Sequence, residues 1–318
     1  MTGSPPLLVI AGPTATGKTG LAISIAERLA ARRIPAEVIS ADSRQVYRGL
    51  DIGTAKVPLD DRRGVPHHGL DLVDPDQPFS VADFAEHARQ ALASIEARGG
   101  VAILAGGTGL YLRAVGRGID TAALAHDSDA RARIETAIER DGLEAAAARL
   151  RTLAPGVAAV TDLRNPRRVA RALERAELTG DEPPPRPRGY PGPSAWLGLD
   201  LEAATHRSWI ATRARAQFDG GLIDEARALR ERFDPSLPAF SAIGYREAWA
   251  VLDGRLTRDE AIDEDARRNA AFAKRQRTWF RSEPGIEWLD AAGDAIPRAV
   301  EVADRLADAI TQPASPPR

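Results

Sequence analysis

Short, uninterrupted apolar runs alternate along this chain with longer stretches of helical spacing. Leu7–Ala11 (LLVIA) and Val101–Ala105 (VAILA) are continuous rather than alternating, which predicts strands covered on both faces. Glu37–Ser40 (EVIS) predicts another strand, Ala195–Leu201 (AWLGLDL) a return to the same sheet, and Ile286–Leu289 a short last strand. Lys18–Ala31 carries Leu21, Ile25 and Leu29 four apart, the spacing of one helix face. Phe84–Arg98 and the segment from Leu110 predict further helices. Strand–helix–strand alternation of this kind implies an α/β fold with a doubly wound parallel sheet. From Asp120 to about Leu178 the chain is rich in Ala, Arg and Glu and shows no strand, and Gly180–Ser194 reads as a proline-rich linker. Helical patterns then run to about Arg281, with a last helix from Ala295 and a tail from Thr311 that reads as a disordered end. The expected organisation is a core of residues 1–119 and 195–318, interrupted at 120–194 by a mostly helical insertion.

Composition narrows the chemistry. Among 318 residues, 43 basic groups face 45 acidic ones, so any affinity for nucleic acid has to come from local patches. The absence of cysteine removes disulfides, thiolate-bound metals and thiol nucleophiles. The histidines (67, 68, 87, 126 and 206) are scattered and form no HExxH pattern; His67 and His68 read as turn residues. No apolar run approaches the ~18 residues that span a bilayer. The start, MTGSPP, lacks the charged-then-apolar signature of a secretion signal, so a cytoplasmic protein without membrane contact is expected. Only three basic residues are lysines, Lys18, Lys56 and Lys274.

Lys18 ends the clearest motif. Gly12-Pro13-Thr14-Ala15-Thr16-Gly17-Lys18-Thr19 matches GxxxxGK[ST], with a strand before it and a helix after it. Such a P-loop curls its backbone N–H groups toward phosphate oxygens, and the following helix N-terminus adds partial positive charge. Lys18 then sets an ammonium on the phosphates, and Thr19 offers its hydroxyl to Mg²⁺. The motif specifies a ligand with adjacent phosphates without naming the reaction. No Walker-B acid follows VAILA; Gly106-Gly107 stand there instead. EVIS does lead to an acid, Asp42, at the carboxyl edge of the sheet, where open α/β folds bind ligands. Asp42 can be a general base, a metal ligand or a turn residue of the ADSR sequence.

The segment Asp42–Lys56, DSRQVYRGLDIGTAK, resembles the signature of tRNA dimethylallyltransferases, also called tRNA isopentenyltransferases or the IPP transferase family. Similar stretches occur in the same order: GPTATGKT, PHHGLDLVDP from Pro66, AGGTGLYLRAV from Ala105, NPRRVARALE from Asn165, IGYREA from Ile243 and AKRQRTWFR from Ala273. The likeness implies a P-loop NTPase-like core and transfer of a dimethylallyl group from dimethylallyl diphosphate to N6 of an adenosine beside the anticodon, with diphosphate released. It implies that Thr14 contacts the leaving oxygens, that Asp42 takes the amine proton, and that Arg213 adds a second cation. Mg²⁺ is the implied cofactor. Where such proteins usually carry an arginine four residues before Arg213, this chain has Trp209. Asp42, Ser43, Arg44, Gln45, Thr108, Arg131, Ser241, Ile243, Gly244, Tyr245 and Arg246 match family positions that touch tRNA.

Two local basic tracts fit an RNA partner. Arg164 to Arg175 holds Arg164, Arg167, Arg168, Arg171 and Arg175 against one acid, Glu174. Arg267 to Arg281 has six basic residues and no acid, and includes Lys274, Arg275, Gln276, Arg277 and Arg281. On a helical wheel with Phe272 at zero, Trp279 lies at about −20°, and Arg267, Lys274, Arg277 and Arg281 lie between about 140° and 220°. The expectation is a core-facing aromatic stripe opposite a face that tracks phosphates along the anticodon stem-loop of tRNA. A monomer is expected. The alternatives are an adenylate (AMP or ADP) dimethylallyltransferase, a P-loop small-molecule kinase and a non-catalytic RNA-binding module.

Overall fold

The computed structural model describes residues 4–121, 127–182, 186–293 and 295–311. His126, the opening Met-Thr-Gly and all of the tail beyond Thr311 lie outside them. The chain divides into two compact units, one formed by Met1–Gly118 with Gly189–Arg318 and the other by Ile119–Arg188.

In the first unit the chain forms β1 (Leu7–Ala11), α1 (Lys18–Ala31), β2 (Ala36–Ser40), β3 (His67–His68), α2 (Val81–Ala97), β4 (Val101–Gly106) and α3 (Gly109–Gly116). The second unit holds α4 (Ser128–Asp141), α5 (Leu143–Leu153), α6 (Pro155–Ala159) and α7 (Pro166–Thr179). The chain then returns to the first unit with β5 (Ser194–Asp200), α8 (Ala203–Asp219), α9 (Leu222–Arg232), α10 (Tyr245–Leu252), α11 (Arg258–Arg281), β6 (Glu287–Asp290) and α12 (Ala295–Thr311).

The six strands form one parallel sheet in the order β3-β2-β4-β1-β5-β6. β1 is central, with Leu7 opposite both Ala102 of β4 and Ser194 of β5. Both faces are covered, which is why β1 and β4 carry no polar alternation. Leu7, Val9, Ile39 and Leu104 pack on one side with Phe84 of α2 and Leu112 of α3. Leu8, Ile10, Val38 and Ile103 pack on the other with Leu21, Ile25 and Leu29 of α1 and Val302 of α12. Because every strand runs the same way, the ends of β2, β4 and β1 lie side by side at one edge.

Two elements differ from the sequence expectation. α2 starts at Val81, three residues before Phe84, because Ser80 caps it: the Ser80 hydroxyl accepts from the N–H groups of Ala82 and Asp83, and the Asp83 carboxylate accepts from Ser80 N–H. That turn lies outside the apolar periodicity. His67–His68 is an edge strand rather than a turn, paired with Val38 and Ile39. His68 Nε2 meets the strand carboxylate Glu37 at 2.7 Å, and Arg98 binds the other oxygen.

The second unit has its own core of Ile134, Leu150, Val157, Val169 and Leu173. Glu174 is fully buried there and accepts from the Arg131 guanidinium at 2.7 Å and from Asp127 N–H, and it pairs with Arg171.

Candidate active site

The loop after β1 is shaped by residues that tolerate little change. Gly12 has φ +146°, and a Cβ there would stand 2.5 Å from the Leu199 carbonyl oxygen of β5. Gly17 sits at φ 78° as the N-cap of α1, a left-handed conformation suited to glycine. Buried Thr16 donates its hydroxyl to Pro13 O at 2.9 Å, and Lys18 Nζ donates to the same oxygen at 2.5 Å. Burial pushes the Lys18 ammonium down from 10.5 to about 7; the Arg213 charge adds to that, and Asp42 opposes it. The first turn of α1 carries no acid and no side-chain cap, and its residues Lys18, Thr19 and Gly20 line the cavity, which leaves its N–H groups as donors for an anion.

Beside this loop, β4 ends in glycine and lets β2 come close. A Cβ on Gly106 would lie 2.1 Å from Ala41 O, and Thr108 N–H donates to that oxygen at 3.1 Å. The acid therefore comes from the neighbouring strand, as Asp42. Its Oδ1 accepts from Arg44 N–H at 2.8 Å and more weakly from Gln45 N–H at 3.4 Å, the geometry of a turn. Its second oxygen makes no hydrogen bond among the described residues. Asp42 thus serves the turn with one oxygen and lines a cavity of about 210 Å³ together with Lys18, Thr19 and Arg213. Thr108 opens α3 without capping it; its Oγ1 accepts instead from Ser43 N–H at 3.0 Å.

Thr14 is held at all three of its polar groups by helices that follow β5. Its N–H donates to Gln276 Oε1 at 2.8 Å, and its hydroxyl accepts from Arg213 Nη1 at 2.7 Å. Its carbonyl accepts from His206 Nε2 at 2.8 Å. Arg277 Nη2 reaches His206 Nδ1 at 3.1 Å, and a guanidinium can only donate, so Nδ1 accepts and the proton sits on Nε2. Burial favours that neutral ring. Arg277 is fixed in turn by Asp200 at 2.7 Å. Arg213 is held from behind by Asn269 at 3.0 Å, whose amide donates to Asp265 at 2.8 Å. Arg213 Nε is buried and makes no hydrogen bond among the described residues.

The DIGTAK stretch is clamped rather than exposed. Lys56 is buried and donates to Asp51 at 2.5 Å, to Asp71 at 2.6 Å and to Tyr47 O. Glu225 of α9 accepts from the N–H groups of Asp51, Ile52 and Gly53, while Gln217 of α8 donates to Ile52 O and Gly53 O. Buried Tyr245 donates its hydroxyl to Glu225 at 2.7 Å and fills the space that a Cβ on Gly53 would need. Gln45 Nε2 ties this loop back to the Asp42 turn through Thr54 O at 3.1 Å.

Several expectations are corrected. Phe272 does not face the core: it is 38% exposed and lines the cavity. The buried face of α11 runs through Ile262, Asp265, Asn269, Ala273, Gln276 and Phe280, so the true stripe is rotated from the aromatic one and carries polar residues. Arg277 does not belong to a free basic face, because Asp200, Leu201 O and His206 engage it. Arg267 pairs with Glu264, which lies just before the tract. Arg213, Thr14, Asp42 and the P-loop come together. Arg44, Ser241, Arg246, Arg167, Arg168, Lys274, Arg275 and Arg281 lie at or near the surface, while Ile243, Gly244 and Arg171 are half-buried or buried. Motif and charge patterns do not single out His206, Gln217, Glu225 and Asn269. His206 and Arg213 are seven apart on α8, and Asn269 and Gln276 are seven apart on α11; that two-turn spacing of polar groups is the signal the sequence does carry. Nothing in the structure accounts for Trp209, which is 37% exposed. Among the described residues, no three acidic or histidine side chains gather as a metal cluster.

The profile of the IPP transferase family matches residues 45–283. A tRNA dimethylallyltransferase of Anaeromyxobacter sp. (strain K) is 44% identical over 315 residues, covering 98% of both chains. That of Bifidobacterium animalis subsp. lactis is 43% identical over 297 residues, covering 91% of this chain and 84% of its own. Among solved structures, a full-length tRNA isopentenylpyrophosphate transferase from Bacillus halodurans superposes with a TM-score of 0.68 at 38% identity, covering 96% of this chain and 97% of its own. A eukaryotic dimethylallyltransferase acting on tRNA superposes with a TM-score of 0.78 at 25% identity, covering 98% of this chain and 81% of its own.

Proposed function

The chain belongs to the IPP transferase family, and from that premise we propose that it transfers a dimethylallyl group from dimethylallyl diphosphate to N6 of the adenosine at position 37, next to the anticodon, in tRNA. The observation that carries this reading is one cavity lined together by Asp42, Lys18, Thr14 and Arg213. An allylic diphosphate reacts when its C1–O bond breaks and a C1–N6 bond forms. Negative charge builds on the diphosphate, which leaves with the bonding electron pair. Lys18, the α1 N–H groups and Arg213 stabilise that charge, with Thr14 at the bridging oxygen. The adenine amine must lose one proton as it bonds, and the unpaired Asp42 oxygen accepts it.

The Thr19 hydroxyl lies in the first turn of α1, lines the same cavity and makes no hydrogen bond among the described residues. One protein oxygen plus diphosphate oxygens suits Mg²⁺, which keeps most of its waters. Thr19 would hold the ion, and its charge would favour the leaving diphosphate.

A stacked anticodon-loop base has to be drawn out before its amine can react. Groups suited to hold the RNA backbone are Lys274, Arg275 and Arg281 on α11 and Arg167 and Arg168 on α7. Arg44, Gln45, Thr108, Arg131, Ser241 and Arg246 are proposed to complete the contact with the anticodon stem-loop. A mononucleotide acceptor would need neither these cations nor the helical unit 119–188, which favours tRNA over AMP. All of these groups come from one chain, so a monomer suffices, and the substrate implies the cytoplasm. Among the described residues no helix is long and apolar enough to cross a membrane.

The deciding experiment incubates unmodified tRNA with labelled dimethylallyl diphosphate, with AMP and with ATP plus a small acceptor in parallel. Label on N6 of tRNA is expected. Label in AMP alone, or ATP turnover without prenyl transfer, would overturn the reading.

A further inference from the structure

Phe272 is an exposed aromatic with a fixed place. It lies on α11 three residues after Asn269, which holds Arg213, and four before Gln276, which holds Thr14 N–H. On the wheel these two anchors stand about 60° and 40° from it, so its ring occupies the rim of the buried face. Both anchors are buried, so the backbone of Phe272 cannot shift without disturbing the Thr14 clamp. The other apolar groups lining the cavity are small, Ala15, Ala55 and Ala105. The Phe272 ring is 38% open to solvent, with the Arg275 guanidinium 5.7 Å from its centroid, so a hydrocarbon that covered the remaining surface would gain burial.

Resting on the proposed prenyl transfer, we infer that Phe272 is the wall that receives the hydrocarbon of the allylic diphosphate and sets how long a chain the site accepts. The diphosphate is fixed by Lys18 and the α1 N–H groups, so the hydrocarbon must extend away from them, past Thr14. A five-carbon group there meets the ring face. A ten-carbon group would compete with the ring for space in the same small cavity. Phe272 is therefore a specificity-determining residue, not a general base or a phosphate ligand.

The test compares wild type, Phe272→Ala and Phe272→Leu with dimethylallyl and geranyl diphosphate on unmodified tRNA, alongside the affinity of inorganic pyrophosphate. Shortening the side chain to Ala is expected to shift the geranyl-to-dimethylallyl ratio of kcat/KM toward geranyl by about tenfold or more, and Leu by less. Pyrophosphate affinity should stay within about twofold, which also reports an intact fold. An unchanged ratio with unchanged pyrophosphate affinity would overturn the inference, as would a change confined to the KM for tRNA, which marks a base-stacking role. Phe272→Leu decides the matter in the same way if the Ala variant does not fold. Wild type that transfers neither group would overturn the prenyl-transfer reading itself and the inference with it.

Discussion

Arg213 Nη1 donates to Thr14 Oγ1 at 2.7 Å, joining α8 to the phosphate loop across 199 positions of sequence. Arg213 thereby holds the loop residue placed at the proposed bond cleavage, while also lining the cavity itself. Arg213→Ala should lower kcat by about 100-fold or more, the usual cost of one preorganised anion donor, with tRNA affinity unchanged in a filter-binding assay. Arg213→Lys should recover little, since one ammonium cannot reach both Thr14 and Asn269. Wild-type turnover in either variant would remove Arg213 from the site.

Asp42→Asn keeps the turn acceptor and removes the base. Prenyl transfer should fall by a factor of about 10² to 10⁴ in single-turnover measurements, with pyrophosphate and tRNA still bound. Retained transfer would reduce Asp42 to its turn role.

Lys18 makes ligand binding depend on pH. Burial leaves its ammonium at about 7 in the free site, and a diphosphate beside it restores the charged form. Binding at pH 8 should therefore take up a proton, seen as a dependence of the calorimetric heat on buffer ionisation enthalpy. Affinity should weaken as pH rises above 7. Stability moves the other way. The unfolded chain keeps this proton up to about 10.5 while the folded site releases it above about 7, so the unfolded state binds more protons in that window and stability rises with pH there. Heats independent of buffer would contradict this account.

Lys274 and Arg275 are exposed on α11 and form no ion pair among the described residues. Replacing both with Ala should weaken tRNA binding and lower the slope of log K against log salt by about 1 for each phosphate that is no longer neutralised. Arg277→Ala should behave differently. It removes the donor to His206 Nδ1, so it should impair pyrophosphate binding while the salt slope for tRNA stays nearly constant. Equal slopes for wild type and the double variant would exclude α11 as a phosphate-tracking face.

Lys56 bridges Asp51, Asp71 and Tyr47 O from a buried position. Lys56→Ala should destabilise the protein by about 2 kcal/mol, less than the ~3–5 of a fully buried pair because both carboxylates keep contact with water. Urea denaturation gives the value directly; a decrease below about 0.5 kcal/mol would show that the bridge contributes little.

The core strands and the phosphate loop are legible in the sequence because they obey local rules. A strand buried on both faces is continuously apolar, and a P-loop writes its own spacing. Asp42 is legible as a strand-end acid. Asn269 is not, and Gln276 reads as an RNA-facing residue rather than as the acceptor of Thr14 N–H, since a helix wheel weighted by aromatics turns α11 away from its real buried face. His206 on α8 is one of five scattered histidines with no motif around it. Lys56 and Glu225 are hidden for a related reason. Each satisfies a backbone or carboxylate partner that comes near only after folding, and buried polar residues leave no periodic trace.

The clamp on Thr14 also orders events in time. A growing chain has β1 and the GPTATGKT loop early, but the groups that seat Thr14 arrive with His206, Arg213 and Gln276. Until synthesis has passed that point the loop has only its own hydroxyl and ammonium contacts to Pro13 O to shape it. Incomplete chains and products of early termination would thus carry the whole phosphate motif and still be unable to compete for the prenyl donor.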